Sequence, residues 1–400
     1  MSEWKEYKLN EIYDFASGLS KSRSEFGHGY GFLSYKDIFH NYFVPDTLTE
    51  LVNSTEKEQR SCSIQRGDVF LTRTSETDEE LGMSCVALKD YPKATFNGFT
   101  KRLRPNKLIE VLPEYAGFFF RSPYFRATVS GISSITTRAS LNNGMLSSLS
   151  IIVPPIDKQI KIAETLKSLH DKIDLLHRQN NTLEKMAETL FRQWFVEEAK
   201  EEWEEETIED VAIHSKNGIN PQKYSTTLFT HYSIPSFDNN KEPIKELGST
   251  IQSGKYIVPK CCILFSKLNP HKVKRVWLLL DNVDDNAICS TEFQVIKPKE
   301  IDYLFLIYGW LTYKENYDEI ASGIGGTSGS HQRIDPSTIF SFSCPKVDVQ
   351  YVKSYNKNVQ PLFEKIVNNQ NQIRTLAKLR DTMLPKLMSG EVSVKQFGRY

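Results

Sequence analysis

An internal repeat limits the folds open to this chain more than any other feature of its sequence. Four pairs of segments match in the same order: residues 4–12 with 203–211, 64–73 with 258–267, 130–132 with 322–324, and 154–159 with 345–350. The offset between matching residues stays between 191 and 199 along the whole length. This pattern predicts a tandem duplication of one unit of roughly 195 residues.

Each copy of the repeat has two unlike parts. The first part carries short β-branched and aromatic runs broken by Gly, Pro, Asn and Asp, which are typical of strands in a mixed α/β (α+β) globule. The second part reads as a single long helix. We therefore predict a first globule at residues 1–155, a first long helix at 156–200, a second globule at 201–345, and a second long helix with a C-terminal tail at 346–400.

Mostly apolar residues recur in both helical segments at alternating spacings of four and three, the signature of a coiled coil. In the first helix the core positions are Ile162, Leu166, Leu169, Ile173, Leu176, Asn180, Leu183, Ala187, Leu190 and Trp194. In the second helix they are Tyr355, Val359, Leu362, Ile366, Asn369, Ile373, Leu376, Arg380, Met383 and Leu387. At ~1.5 Å per residue, each run is roughly 48 Å long.

The polar core residues indicate how the two helices pair. The runs are centred on positions 178 and 371, so an antiparallel pair places Asn180 opposite Asn369. A parallel pair would place these asparagines opposite Ile373 and Leu176, at a cost of ~1–3 kcal/mol for each unpaired amide. We predict an antiparallel coiled coil with an internal pseudo-two-fold repeat. The alternative is that one or both amides reach solvent.

The catalytic motifs that can be recognised from spacing alone are absent. The chain has no G-x-G-x-x-G, H-E-x-x-H or G-x-S-x-G, and no Asn- or Asp-Pro-Pro-aromatic motif of an amino-methyltransferase. The 8 histidines are scattered, and the 6 cysteines form no CxxC pair. We expect a chain that is not an enzyme by itself and that holds no metal ion or cofactor.

Charge and hydropathy argue against a chain that attracts polyanions through its overall charge and against one that spans a membrane. The 50 basic residues balance the 50 acidic ones, so the whole chain has no field that attracts polyanions. A run of carboxylates at residues 197–210 is opposed only by Lys200 and is predicted to be a solvated linker. The longest apolar stretch, residues 304–311, is far shorter than the ~20 residues of a membrane helix. We expect a soluble cytoplasmic protein without a membrane partner.

Two globules alternating with two related long helices resemble the specificity subunit of type I restriction–modification enzymes, over nearly the full chain. The resemblance rests on this architecture and on three local motifs. These motifs are the strands after Trp4 and Trp203, the Gly67-Asp-Val-Phe-Leu turn and strand, and Pro154-Pro-Ile-Asp-Lys-Gln before the first helix. The second copy departs from the pattern, with Cys261-Cys262 in place of Gly-Asp and Pro345-Lys-Val in place of Pro-Pro-Ile.

The resemblance implies a division of labour between subunits in DNA methylation and host defence. Each globule would be a target-recognition domain that reads one half of a bipartite site in double-stranded DNA. Because the two globules differ, the site would be asymmetric. The helices would form a rod that sets the spacer and docks two modification (methyltransferase) subunits, and restriction subunits would add translocation and cleavage. S-adenosylmethionine, ATP and magnesium would then lie on the partner subunits, and this chain would hold no cofactor.

The segments at the ends of predicted strands are the candidate DNA contacts, because they combine cations with hydroxyl and amide groups. In the first globule they are Lys21, Arg23, Tyr35, Lys36, Arg73, Thr74, Ser75, Thr137, Arg138 and Asn142. In the second globule they are Lys267, Asn269, His271, Thr327, Ser328, His331, Gln332 and Arg333. Arg73 and Lys267 occupy matching places in the two copies. The Phe118-Phe-Phe and Leu304-Phe-Leu runs are predicted to be core.

Three other functions stay open at this level. A coiled-coil adaptor that binds proteins rather than DNA would have the same helices and heads. An enzyme with unrecognised catalytic residues is a second possibility, and the recognition subunit of a related bipartite-site system is a third. Replacing both Arg73 and Lys267 distinguishes a DNA reader from a protein-binding adaptor. It should abolish site-specific DNA binding and leave assembly with protein partners intact.

Overall fold

The computed structural model describes residues 4–74, 80–133, 140–325 and 332–392. Six of the candidate DNA contacts, Ser75, Thr137, Arg138, Thr327, Ser328 and His331, lie outside these ranges. The chain divides into two compact units. Unit 1 comprises residues 1–176 and 371–400, and unit 2 comprises residues 177–370. Each unit thus contains one globule together with part of each long helix.

Unit 1 is a mixed α/β globule followed by the start of a long helix. Its strands are β1 (Lys5–Lys8), β2 (Tyr13–Ser17), β3 (Phe26–Leu33), β4 (Leu51–Val52), β5 (Val69–Thr72), β6 (Ser84–Val86), β7 (Thr95–Phe96), β8 (Thr100–Pro105) and β9 (Ser150–Val153). Its helices are α1 (Leu9–Ile12), α2 (Tyr35–His40), α3 (Glu56–Ser61), α4 (Pro113–Phe119), α5 (Pro123–Ser133), α6 (Asn143–Ser148) and the start of α7 (Ile156–Arg192).

Unit 2 holds the end of α7, the second globule and the start of the last long helix. Its strands are β10 (Glu205–Thr207), β11 (Ala212–His214), β12 (Gly218–Ile219), β13 (Leu228–Tyr232), β14 (Ile244–Leu247), β15 (Lys255–Ile257), β16 (Cys262–Ser266), β17 (Val276–Leu279), β18 (Ala287–Ser290), β19 (Phe293–Pro298), β20 (Ile324–Gly325), β21 (Arg333–Ile334) and β22 (Ser343–Pro345). Its helices are α8 (Ile208–Val211), α9 (Ile234–Asp238), α10 (Leu304–Thr312), α11 (Lys314–Ser322), α12 (Pro336–Phe340) and the start of α13 (Val349–Met388).

The two globules share one framework, which confirms the internal repeat. A four-stranded antiparallel sheet has the order β2-β8-β5-β6 in unit 1 and β11-β19-β16-β17 in unit 2. A two-stranded sheet joins the first strand of each repeat to the strand before the long helix, as β1-β9 and as β10-β22. Equivalent residues can therefore be identified from strand register as well as from sequence.

The globules differ in their second sheet. Unit 1 has a three-stranded sheet of order β4-β3-β7, and unit 2 has a five-stranded sheet of order β12-β15-β18-β13-β14. Each of these sheets contains one parallel pair, β3 with β7 and β13 with β18. The repeat thus keeps the four-stranded and two-stranded sheets and varies the remaining sheet.

The acidic run before the second globule is a linker over only part of its length, so the prediction for residues 197–210 was wrong at its end. Residues 205–207 form β10 and pair with β22. The Asp210 carboxylate then accepts hydrogen bonds from the Thr207 amide and hydroxyl, both at 2.8 Å, and so caps α8. Carboxylates near a helix N-terminus are stabilising, and composition alone does not separate this role from that of a linker.

Gln159 explains the Pro-Pro-Ile-Asp-Lys-Gln motif in physical terms. Its side chain is 1% exposed, and its amide group donates to the carbonyls of Pro154 at 2.9 Å and Glu110 at 3.2 Å. Its carbonyl oxygen accepts from the Leu112 amide at 2.8 Å. One buried side chain therefore fixes the start of α7 to the globule. The matching Gln350 in the second copy is exposed, in line with the weaker motif there.

Within unit 1, the start of α7 packs against the end of α13. Ile162 and Leu166 lie in the same buried core as Leu384 and Leu387. Further along, Ile173 and Leu176 form a small core with Ile373, against which Leu376 packs. Leu169 is partly buried, and Met383 packs on the larger core. The Phe118-Phe-Phe run is completely buried in that core.

Within unit 2, the end of α7 packs against the start of α13. Leu183, Leu190 and Leu362 are partly buried against the core that contains Val359 and Ile366. The Asn369 amide group donates to the side-chain oxygen of Asn180 at 2.9 Å, and both side chains are buried. Antiparallel pairing is therefore confirmed in both units. The two asparagines are partners, with Asn180 9% exposed and Asn369 0% exposed.

Several buried helix residues lie outside the predicted seam. Phe191 packs on Trp310 and Tyr313, and Phe363 stacks on Phe305 with ring centroids 5.4 Å apart. Each helix packs on its globule as well as on the other helix, so its apolar stripe is wider than a two-stranded coiled coil requires. Among the described residues, no helix is both long enough and apolar enough to cross a bilayer.

The buried asparagine pair gives a test of the register. Either Asn180→Leu or Asn369→Leu leaves one buried amide without its partner, so each single change should lower the free energy of unfolding by about 1–3 kcal/mol. The double change to leucine removes both polar groups and should cost less than the sum of the two single changes. Urea unfolding of the four proteins measures this coupling. Asn368→Leu, at an exposed neighbouring position, is the control. Additive single effects would contradict the pairing.

Candidate nucleic-acid interface

In unit 1 the end of β5 lies beside two other segments of the globule. The Arg73 amide donates to the Phe99 carbonyl at 2.8 Å, and the Leu141 amide donates to the Arg73 carbonyl at 2.8 Å. Arg73 is thus held by its backbone between the turn before β8 and the segment before α6. The Nε atom of its side chain is buried and has no hydrogen-bond partner among the described residues.

Three more of the predicted contacts converge on the same place. Thr74 pairs with Ser140 in an isolated antiparallel bridge. The Tyr35 hydroxyl at the start of α2 donates to the Thr74 carbonyl at 3.2 Å. Asn142 caps α6 by accepting a hydrogen bond from the Met145 amide at 2.9 Å. The structure therefore brings Tyr35, Arg73, Thr74 and Asn142 together.

Lys101, which was not predicted from the sequence, lies on β8 next to this group. Its side chain is only 8% exposed, and its ammonium donates to Ser17 Oγ at 3.0 Å and to Asn143 Oδ1 at 2.9 Å. Burial, together with the nearby charge of Arg73, lowers the pKa of Lys101. No local signal distinguished it, because β8 also carries Arg102 and Arg104. We call Tyr35, Arg73, Thr74, Lys101 and Asn142 the first loop cluster.

Unit 2 builds an equivalent arrangement with the same backbone hydrogen bonds. The Lys267 amide donates to the Glu292 carbonyl at 3.0 Å, and the Ile334 amide donates to the Lys267 carbonyl at 3.1 Å. Leu268 pairs with Arg333 in a bridge that matches the bridge of Thr74 with Ser140. The correspondence of Lys267 with Arg73 thus holds in the fold as well as in the sequence.

The side chains of the second arrangement differ from those of the first. The Asn269 amide donates to the Gln332 carbonyl at 2.8 Å, and the Gln332 amide donates to Asn269 Oδ1 at 3.1 Å. Arg333 forms an ion pair with Glu292, whose nearest oxygen is 2.8 Å away. The hydrogen bond to this carboxylate raises the pKa of Arg333. Glu292 was also missed, because only the register of β19 places it beside Arg333.

His214, at the end of β11, completes the second arrangement. Its ring stacks on Phe340 with centroids 5.1 Å apart, and its Nε2 atom is buried without a partner. Burial lowers the pKa of His214 to about 4, and the charges of Lys216 and Lys267 act in the same direction. We call His214, Lys267, Asn269, Glu292, Gln332 and Arg333 the second loop cluster.

The remaining candidates are placed elsewhere. The Lys21 ammonium pairs with Glu58 on α3 at 2.8 Å, and its hydrogen bond is the largest cause that lowers the pKa of Glu58 to about 2. Arg23 is exposed in a short 3-10 turn, Lys36 is exposed on α2, and His271 is exposed after Asn269. Among the described residues, no group of three or more His, Cys, Asp or Glu side chains is arranged to hold a metal ion.

His214 gives the second loop cluster a dependence on pH. Its folded-state pKa of about 4 lies below its ordinary value of 6.5, so folding favours the neutral ring. The neutral ring should therefore stabilise the folded protein fully above pH ~6.5, and this contribution should be lost as the pH falls toward ~4. His214→Phe keeps the stacking on Phe340 but removes the proton. Relative to this variant, the free energy of unfolding of the wild type should fall by about 1–3 kcal/mol between pH 7.5 and pH 4, as measured by urea unfolding. A constant difference across this range would contradict the assignment.

The fold resembles that of a solved specificity subunit. The crystal structure of the type I restriction–modification system S subunit from M. genitalium matches with a TM-score of 0.56 at 13% sequence identity, over 96% of each chain. Such a likeness at low identity shows that the two chains share a fold.

Sequence comparisons point to the same family. Residues 1–185 match the type I restriction modification DNA specificity domain. The MjaIX specificity subunit of a type I restriction enzyme from Methanocaldococcus jannaschii is 24% identical, over 98% of this chain and 94% of the relative. The HindI specificity subunit from Haemophilus influenzae is 22% identical, over 98% of this chain and all of the relative. The chain is thus similar along nearly its whole length to specificity subunits of type I restriction enzymes.

Proposed function

We propose that this chain reads DNA sequence within a type I restriction–modification complex, each globule reading one half of an asymmetric bipartite site. The sequence similarities support this role, because the domain that residues 1–185 match is described as a DNA specificity domain and the similar proteins are named specificity subunits. DNA sequence is read in the grooves by side chains that donate or accept hydrogen bonds at base edges. The loop clusters offer such side chains at the ends of rigid strands.

One observation carries the proposal: the two loop clusters have the same backbone geometry and different side chains. Arg73 and Lys267 are each held by one hydrogen bond to the turn before a strand and one hydrogen bond from the segment before a short helix. Around them, unit 1 places Tyr35 and Lys101, and unit 2 places Glu292 and Arg333. A common frame with unlike reading groups is what two unlike half-sites require.

The paired helices would set the spacer and dock two methyltransferase subunits. Apolar side chains remain exposed along them, which supports a role in binding other subunits. On α7 these are Ile160 at 40%, Leu175 at 38% and Met186 at 48% exposure, and on α13 Leu379 is 45% exposed. Restriction subunits would join the same complex.

Catalysis would belong to those partners. S-adenosylmethionine would be bound by the methyltransferase subunits, and ATP and magnesium by the restriction subunits. Two observations support this assignment: the sequence has no Asn- or Asp-Pro-Pro-aromatic motif of an amino-methyltransferase, and the relatives are named specificity subunits. The same names count against a coiled-coil adaptor without DNA binding, although the helices alone would fit one.

The two equivalent cations give a direct test. Arg73→Gln combined with Lys267→Gln should lower the affinity for duplex DNA by about 2–6 kcal/mol, taking ~1–3 kcal/mol for each charge-assisted contact. Association with the methyltransferase subunits should not change. Fluorescence anisotropy with cognate and random duplexes measures the first quantity, and co-purification measures the second.

The matched control removes the same charge from exposed positions. Lys57 lies on α3, and Lys260 lies at the opposite end of β16 from Lys267. Lys57→Gln combined with Lys260→Gln should leave cognate binding within about twofold of wild type, because neither residue lies in a loop cluster. Equal losses of DNA affinity in the two double variants would show a general effect of charge and would contradict the proposed contacts.

A further inference from the structure

Lys101 is a buried cation that pairs with no carboxylate among the described residues. Its ammonium has two neutral partners, the Ser17 hydroxyl and the Asn143 amide oxygen, and its side chain is 8% exposed. Arg73, the neighbouring cation, has its Nε atom buried without any hydrogen-bond partner. Within the residues that the structure describes, no carboxylate pairs with either side chain. An uncompensated buried charge is costly, and two close together repel each other.

The internal repeat shows that the fold does not require this lysine. Leu71 on β5 pairs with Lys101, and the matching Phe265 on β16 pairs with Gln294. Gln294 is 2% exposed and neutral, so the same position in unit 2 folds without a charge. Lysine at position 101 therefore points to a role other than stability.

The surrounding charges also differ between the two units. Asp335 and Glu292 in unit 2 correspond to Asn142 and Phe99 in unit 1, because each pair makes the same backbone contacts or caps the same short helix. Unit 2 thus places two carboxylates around its cations, and unit 1 places none at the matching positions. The first loop cluster has an excess of two positive charges that its own side chains leave unbalanced.

We propose that Arg73 and Lys101 act as a pair that binds one backbone phosphate of the DNA. This proposal rests on the DNA-reading function proposed above. A phosphate supplies the full negative charge that two cations need, whereas a base edge offers only partial charges. Lys101 keeps one N–H free after its bonds to Ser17 and Asn143, and the Nε–H of Arg73 has no partner among the described residues. The pair would position the first globule on DNA, and other residues of the first loop cluster would read the bases.

The salt dependence of DNA binding tests this role. Lys101→Gln installs the residue that the repeat has at position 294. In the complex with the methyltransferase subunits, it should reduce the slope of log K against log salt by about 1. It should lower the affinity for cognate and for random duplexes by the same factor, and it should leave the preferred DNA sequence unchanged. Arg73→Gln should have the same effects on affinity and on the salt slope. The double variant should show little more loss than either single variant, since both side chains contact one phosphate. Lys107→Gln, at an exposed position beyond the other end of β8, is the control.

A measurement without DNA separates this proposal from the proposed function. Inorganic phosphate should raise the melting temperature of wild type more than that of Lys101→Gln. Equal phosphate effects with an unchanged salt slope would overturn the pair while leaving DNA reading intact. A phosphate effect without a change in slope would show an anion site that does not contact DNA, and would also overturn the proposal. A wild-type complex with no preference for any sequence would overturn the proposed function and this inference with it.

Discussion

The hydrogen bond between Asn180 and Asn369 marks the constraint on which the rest of the structure depends, the antiparallel pairing of α7 with α13. Helix α7 begins in unit 1 and ends in unit 2, and α13 does the reverse. Each unit therefore needs segments from both copies of the repeat to complete its core. A buried polar pair of this kind favours one register over neighbouring ones, because any slip leaves two amides unpaired.

Periodic features of the fold could be predicted from the sequence because each copy repeats a local pattern. The four-three spacing predicted both helices, and the positions of the two asparagines predicted their orientation. The apolar helix residues that pack on the globules could not be predicted in the same way. Phe191 and Phe363 lie beside the seam positions, and their partners Trp310 and Phe305 come from a globule whose packing has no sequence period.

The candidate interface was predictable only in part, and for a similar reason. Arg73 and Lys267 follow apolar strands, so their places at strand ends could be inferred from local sequence. Lys101, Glu292 and His214 join the loop clusters through the register between strands that are distant in the chain. No local pattern reports which residue stands opposite another across a sheet. The repeat supplies that information only after the shared framework is known.

Random duplex DNA can be selected on this chain, co-purified with the methyltransferase subunits proposed to bind it, and the survivors sequenced. This measurement tests most directly whether one chain carries two unlike DNA readers on a common frame. Two unlike readers should select two short blocks of different sequence at one fixed spacing. A single block, two identical blocks, or no enrichment from a well-assembled complex would contradict the proposed function.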